Sequence, residues 1–129
     1  MTAKMLAMVA LGGALGASLR YLVVLWMAGT AERGEFPWGT LTVNLAGTAI
    51  LALLTALVLS GREVATEMQL LIGTGFCGAL TTFSTVAVEL VMLVRAGATM
   101  HAITYAATSV LASLVIVIAI FHAFRVLKA

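Results

Sequence analysis

Four stretches of this chain run for membrane-spanning length without an Asp, Glu, Lys or Arg, apart from one arginine inside the first, and that pattern removes most folds from consideration. They cover residues 5–19 continuing past Arg20 to 31, then 36–61, 68–88 and 96–124. A helix crossing the hydrocarbon core needs about 20 apolar residues, and lipid offers backbone polar groups no partners, so such runs fold as helices. Composition agrees: 9% of the 129 residues are charged and 63% are hydrophobic, against about 25% charged in soluble domains. The sequence predicts an all-α membrane protein, one transmembrane domain over residues 1–129 with spans of about residues 5–28, 36–60, 68–94 and 98–124.

The connectors near residues 32–35, 62–67 and 95–97 leave no room for a soluble catalytic domain, so an enzyme is not expected. The N-terminal stretch has the outline of a signal peptide, with Lys4 ahead of an apolar run. Apolar character resumes after Arg20 and three more runs follow, so it reads as a first span. A single cysteine, Cys77, allows no intrachain disulfide and offers no metal-ligand spacing. Seven basic residues scattered between spans form no patch, which excludes nucleic acid as a partner.

With an even number of spans, Lys4, Arg62, Arg125 and Lys128 share one side, against Arg33, Arg95 and a snorkelling Arg20 on the other. Four against three is a weak bias. Charge alone leaves a parallel oligomer and an antiparallel pair equally open. Four short helices enclose little space, so a polar pathway fits a dimer interface more easily than the inside of one copy. Gly12 and Gly16 form a GxxxG in the first span and Gly39 and Gly47 flank the second, which permits close helix approach between or within subunits.

Ionisable residues are costly inside a bilayer. Arg20 and Glu89 are each near enough to a span end to reach the interface, and His101 and His122 read as interfacial. Neutral polar residues fall on helical stripes: Thr40, Asn44 and Thr48; Thr81 and Thr85 with Ser84 beside them; Tyr105, Ser109 and Ser113. One such stripe is ordinary interhelical bonding. Three in so small a protein point to a track of hydroxyl and amide donors without a deep carboxylate, suited to an anion that exchanges water for hydrogen bonds.

The third run contains GTGFCGALTTFSTVAVE, residues 73–89. Gly75 and Gly78 weaken helical continuity, and Thr81 and Thr82 can bond locally to backbone, so this span reads as a helix broken near its middle. Unwound backbone at membrane depth survives only when buried in protein or lining a polar cavity, where freed carbonyls make a cation site. Phe83 follows; a ring edge can face an anion, although from physics alone ordinary apolar packing is the better account of a phenylalanine here.

Three segments, GGALGASLRY, GTLTVNLAG and GFCGALTTFST, resemble in order those of the small fluoride channels called Fluc or CrcB. The resemblance implies an antiparallel, dual-topology homodimer in the bacterial cytoplasmic (inner) membrane, with two interfacial pores that pass fluoride passively, reject chloride and confer fluoride resistance. It implies a structural sodium ion on the two-fold axis, held by backbone carbonyls that would here belong to Gly78 and Thr81. It assigns Asn44 and Phe83 to the fluoride pore, with Thr82, Ser84, Thr85, Tyr105, Ser109 and Ser113 along the hydroxyl track, and Arg20 to the aqueous vestibule. Two positions depart from the family pattern: Val86 stands where a second phenylalanine is usual, and Ala79 where a second glycine is.

Two other classes compete. A proton-coupled small multidrug transporter shares the four-helix dual-topology plan but needs a titratable carboxylate deep in the membrane, and the first span has none. A non-conducting membrane subunit that assists assembly would show no transport by itself.

Overall fold

The computed structural model describes residues 2–27 and 31–126. Residue 28, where the first span was expected to end, and Lys128 of the charge argument lie outside the described residues. Helix α1 covers Thr2–Met27 and α2 covers Trp38–Leu59, with a short 3-10 turn at Ala31–Arg33 between them. The third span, Thr66–Arg95, is composite. It begins with one α turn, α3 (Thr66–Met68), continues as a π-helix over Gln69–Cys77, returns to a single α turn, α4 (Gly78–Leu80), stops at Thr81 and Thr82, and resumes as α5 (Phe83–Arg95). Helix α6 covers Thr99–Ala123. Among the described residues there is no strand, and four helices are long and apolar enough to cross a membrane.

The connectors are short because the helix ends turn sharply. After α2 the Gly61 amide donates to the Val58 carbonyl and the Arg62 amide to that of Leu57; after α5, Gly97 and Ala98 do the same to Val94 and Leu93. These are Schellman endings, which need a left-handed residue just past the cap. Gly61 and Gly97 supply it, at φ of 80° and 78°. Helix α6 ends identically, through Arg125 to His122 and Val126 to Phe121, but its left-handed residue is Arg125, at φ 55°.

Helix α1 lies against the π-helix, and glycine is what lets it. A Cβ at Gly12 would fall on the Leu71 carbonyl oxygen and 2.8 Å from the Phe76 amide nitrogen. One at Gly16 would fall on the Phe76 carbonyl oxygen and 3.0 Å from the Leu80 amide nitrogen. The two backbones are in van der Waals contact, the arrangement that small-xxx-small spacing permits. The buried apolar cluster lies toward the other end of the molecule, where Leu41, Val86, Leu93, Ala102 and Tyr105 meet, with Phe36, Leu45 and Leu90 against them.

Candidate functional site

The break in the third span is organised by a residue from another helix. Thr81 and Thr82 are extended, at φ/ψ of −86°/153° and −154°/119°. The Thr82 amide, which in a continuous helix would donate to the Gly78 carbonyl, donates instead to Asn44 Oδ1 at 2.8 Å, and Asn44 Nδ2 donates to the Thr82 carbonyl at 3.2 Å. The side-chain amide thus pairs with both polar groups of one residue, as a neighbouring strand would. One of its two N–H donors remains for another acceptor.

A second amide is diverted one turn on. The Thr85 N–H, due to the Thr81 carbonyl in a regular helix, goes to Thr82 Oγ1 at 3.2 Å, so Thr82 is the N-cap of α5. The carbonyls of Gly78 and Thr81 therefore both lose their helical donors. They lie at the C-terminal end of the first half-helix, where partial negative charge accumulates. A Cβ at Gly78 would meet nothing nearer than the Gly73 carbonyl at 3.9 Å, so the backbone there is open. Uncharged backbone oxygens that have lost their helical donors are of the kind that suits a hard monovalent cation.

Beside the break is a cavity of about 310 Å³ lined by Asn44 and Thr48 of α2, Thr81, Thr82 and Phe83 at the break, Val86 and Leu90 of α5, and Ser109 and Ser113 of α6. Ser109 Oγ is buried without a hydrogen-bond partner among the described residues. A buried hydroxyl in that state costs free energy until something pairs with it. Phe83 is 83% exposed, so its ring is not held by this subunit's core. A second cavity of about 250 Å³ is lined by Arg20 and Tyr21 of α1 with Thr40, Thr82 and Thr85. Thr82 belongs to both, and its hydroxyl is 3.1 Å from Ser84 Oγ and 3.0 Å from Thr85 Oγ1.

Of the residues singled out in the sequence, Asn44, Thr82, Phe83, Ser109 and Ser113 line the first cavity, and Arg20 and Thr85 line the second with Thr82. Ser84 is exposed beside Thr82, and Tyr105 is fully buried. Neither lines either cavity. Thr48, noted only as part of a stripe, does.

Tyr105 is occupied elsewhere. Its hydroxyl donates to Glu89 Oε2 at 2.6 Å, and Thr40 Oγ1 donates to Glu89 Oε1 at 2.8 Å. Glu89 therefore does not reach for the interface; two hydroxyls from α2 and α6 satisfy it in place. The Phe36 ring meets Tyr105 edge-on at 5.6 Å and His101 at 5.9 Å, while His101 Nδ1 is 2.8 Å from the Gly34 carbonyl oxygen, fixing the tyrosine from its outer side. Sequence reasoning missed this triad because its members are 49 and 16 residues apart. The usable signal was an in-span acid accompanied by hydroxyl stripes on two other helices. Tyr105→Phe leaves Glu89 short of one donor and is expected to destabilise the protein by about 1–3 kcal/mol, read as a lower midpoint in detergent unfolding; an unchanged midpoint would show the bond to be dispensable.

A family model described as CrcB-like protein, Camphor Resistance (CrcB), matches residues 7–121. The "Fluoride-specific ion channel FluC" of Hahella chejuensis is 42% identical over 111 residues, covering 86% of this chain and 87% of its own. The protein of the same name from Bordetella petrii is 43% identical over 120 residues, 91% of each chain. The "Fluoride-specific ion channel FluC 2" of Listeria monocytogenes is 41% identical over 105 residues, covering 81% and 78%.

Proposed function

The chain belongs to the CrcB-like family, and from that premise we propose that it is a fluoride-specific channel of the bacterial cytoplasmic membrane rather than an enzyme. The observation that carries the reading is the cavity beside the break, where Asn44 keeps a spare N–H donor and the Ser109 hydroxyl is unpaired. A small, strongly hydrated anion enters a membrane only where fixed donors replace its water. Asn44, Thr82, Ser109 and Ser113 are such donors, and no carboxylate lines the cavity to repel the ion. The ring edge of Phe83 adds a weak positive field. Thr85 continues the hydroxyls into the adjoining cavity and Ser84 stands beside Thr82, while Tyr105 acts indirectly, by holding Glu89 in place with Thr40. Arg20 sits in the adjoining cavity as a vestibule charge that raises the local anion concentration. Export is passive: hydrogen fluoride that crosses the lipid ionises in a less acidic cytoplasm, and the channel lets fluoride leave.

The working unit is an antiparallel homodimer with two pores. The near balance of basic residues between the two sides is compatible with it, and the exposure of Phe83 and Gly78 on one subunit supports a second copy against that face. A second copy covering that face would close the pore wall and bring two sets of Gly78 and Thr81 carbonyls together. Those carbonyls, deprived of their helical amides, would hold a sodium ion. Bound there, the ion supplies the positive charge that unpaired carbonyls need in a bilayer.

The test is efflux from liposomes loaded with fluoride or chloride, followed with ion-selective electrodes while valinomycin shunts potassium. Fast fluoride efflux with negligible chloride is expected; silence from folded protein would overturn the reading. In the same assay Asn44→Asp is expected to slow fluoride efflux at least about tenfold, equivalent to roughly 1.4 kcal/mol of barrier. It replaces the N–H donors with a charge that repels both the ion and the Thr82 carbonyl. Unchanged efflux from verified, folded protein would remove Asn44 from the pathway.

A further inference from the structure

Helices α2 and α6 end at the same face of the bundle, and two adjoining hollows lie along them, an inner one at the level of Ile50 and Leu53 of α2 and an outer one at the helix ends. The inner one, about 470 Å³, is lined only by apolar side chains, among them Ile50 and Leu53 of α2 and Ile120 of α6. The outer one, about 350 Å³, is lined by Ser60, Arg62 and Arg125. Ala123 and Phe124 line both, so the two form one channel-like groove with an apolar floor and a cationic mouth. At about 100° per residue, Ile50 and Leu53 lie on the side of α2 turned away from Asn44 and Thr48. The groove is therefore not part of the cavity beside the helix break.

We propose that this groove binds one anionic phospholipid, with an acyl chain against Ile50, Leu53 and Ile120 and the phosphate between Arg62 and Arg125. Three observations lead there. The apolar hollow lies on membrane-spanning helices, with Ile50 and Leu53 exposed, so lipid is the solvent that reaches it. The arginines follow the last turns of those helices, at the depth of headgroups, and neither makes an ion pair among the described residues, whereas Lys4 is taken by Glu67 at 2.8 Å. Third, Arg125 holds the left-handed position of a Schellman ending, which the equivalent turns after α2 and α5 give to glycine. An L-residue there is strained, and where the other two turns present only a glycine hydrogen this one places a guanidinium in the wall of the outer hollow. Arginines past helix C-termini also complement the helix dipole, which makes stability alone an insufficient readout. The proposal requires only that the helices span a bilayer, and does not rest on fluoride conduction.

The experiment is native mass spectrometry of the purified full-length protein with equal amounts of phosphatidylglycerol and phosphatidylcholine of identical acyl chains. Two arginines beside the phosphate predict a preference for phosphatidylglycerol of roughly tenfold or more. Arg62→Gln with Arg125→Gln is expected to bring the two lipids to parity. Arg125→Gly separates binding from packing: relieving the left-handed strain leaves the unfolding midpoint equal or higher, while the lipid preference falls. Equal retention of both lipids by the unaltered protein, or an undiminished preference in the double variant, would overturn the proposal. So would a disulfide between copies through Leu53→Cys in a Cys77→Ser background, which would assign the groove to a second subunit.

Discussion

Phe83→Ile is expected to cut fluoride efflux at least about a hundredfold, close to 2.7 kcal/mol of barrier, while the protein remains folded. The expectation separates two roles usually entangled in a buried aromatic. Phe83 is 83% exposed on its own subunit, so truncating it removes little from the core. Isoleucine is apolar and branched, and it keeps the wall dry. What it lacks is the positive edge of the ring, directly after the N-cap Thr82 and in the wall shared with Asn44 and Ser109. Val86 sharpens the case, because it lines the same cavity at 5% exposure and brings no ring of its own. Liposome efflux measures the loss, and size-exclusion chromatography in detergent checks that the oligomer survives. Wild-type flux from a well-folded variant would show the ring to be packing alone.

Gly12→Ala and Gly16→Ala are expected to destabilise the protein by about 3 kcal/mol or more each, since overpacking against backbone cannot be relieved by a rotamer change. The atoms in the way are carbonyl oxygens of Leu71 and Phe76, held in the π-helix. Gly13→Ala is the internal control, because a Cβ there meets nothing within 4 Å, and it is expected to be neutral. Expression yield and the detergent unfolding midpoint of the three variants give the answer. Equal behaviour at positions 12 and 13 would mean that α1 stands farther from the third span than described.

How much of this was readable beforehand depends on the range of the interaction. The four spans were legible because hydrophobicity over 20 residues is a property of the run itself. The interruption at Thr81 and Thr82 was legible as a weakness, through Gly78 and the paired threonines. Its cause was not, because the Thr82 amide is captured by Asn44, 38 residues away. The Asn44 stripe was visible, yet spacing cannot tell a donor that faces an ion from one that braces a backbone, and this side chain has hydrogens for both. Glu89 reads from sequence as an acid reaching for water, and only the meeting of α2, α5 and α6 turns it inward to Thr40 and Tyr105. The π-helix itself was not legible: Gly73 and Gly75 in QLLIGTGFC mark a weakened helix, but nothing local distinguishes a wider turn from a break, and the close approach of α1 to this segment comes from another helix.

That wider turn bears on length. The third span has 30 residues and α2 has 22, which as straight α-helices would measure about 45 and 33 Å, yet both must cross one hydrocarbon core of about 30 Å. A helix bonded i to i+5 fits more residues into each turn, so nine residues of π-helix take up surplus chain that α2 does not carry.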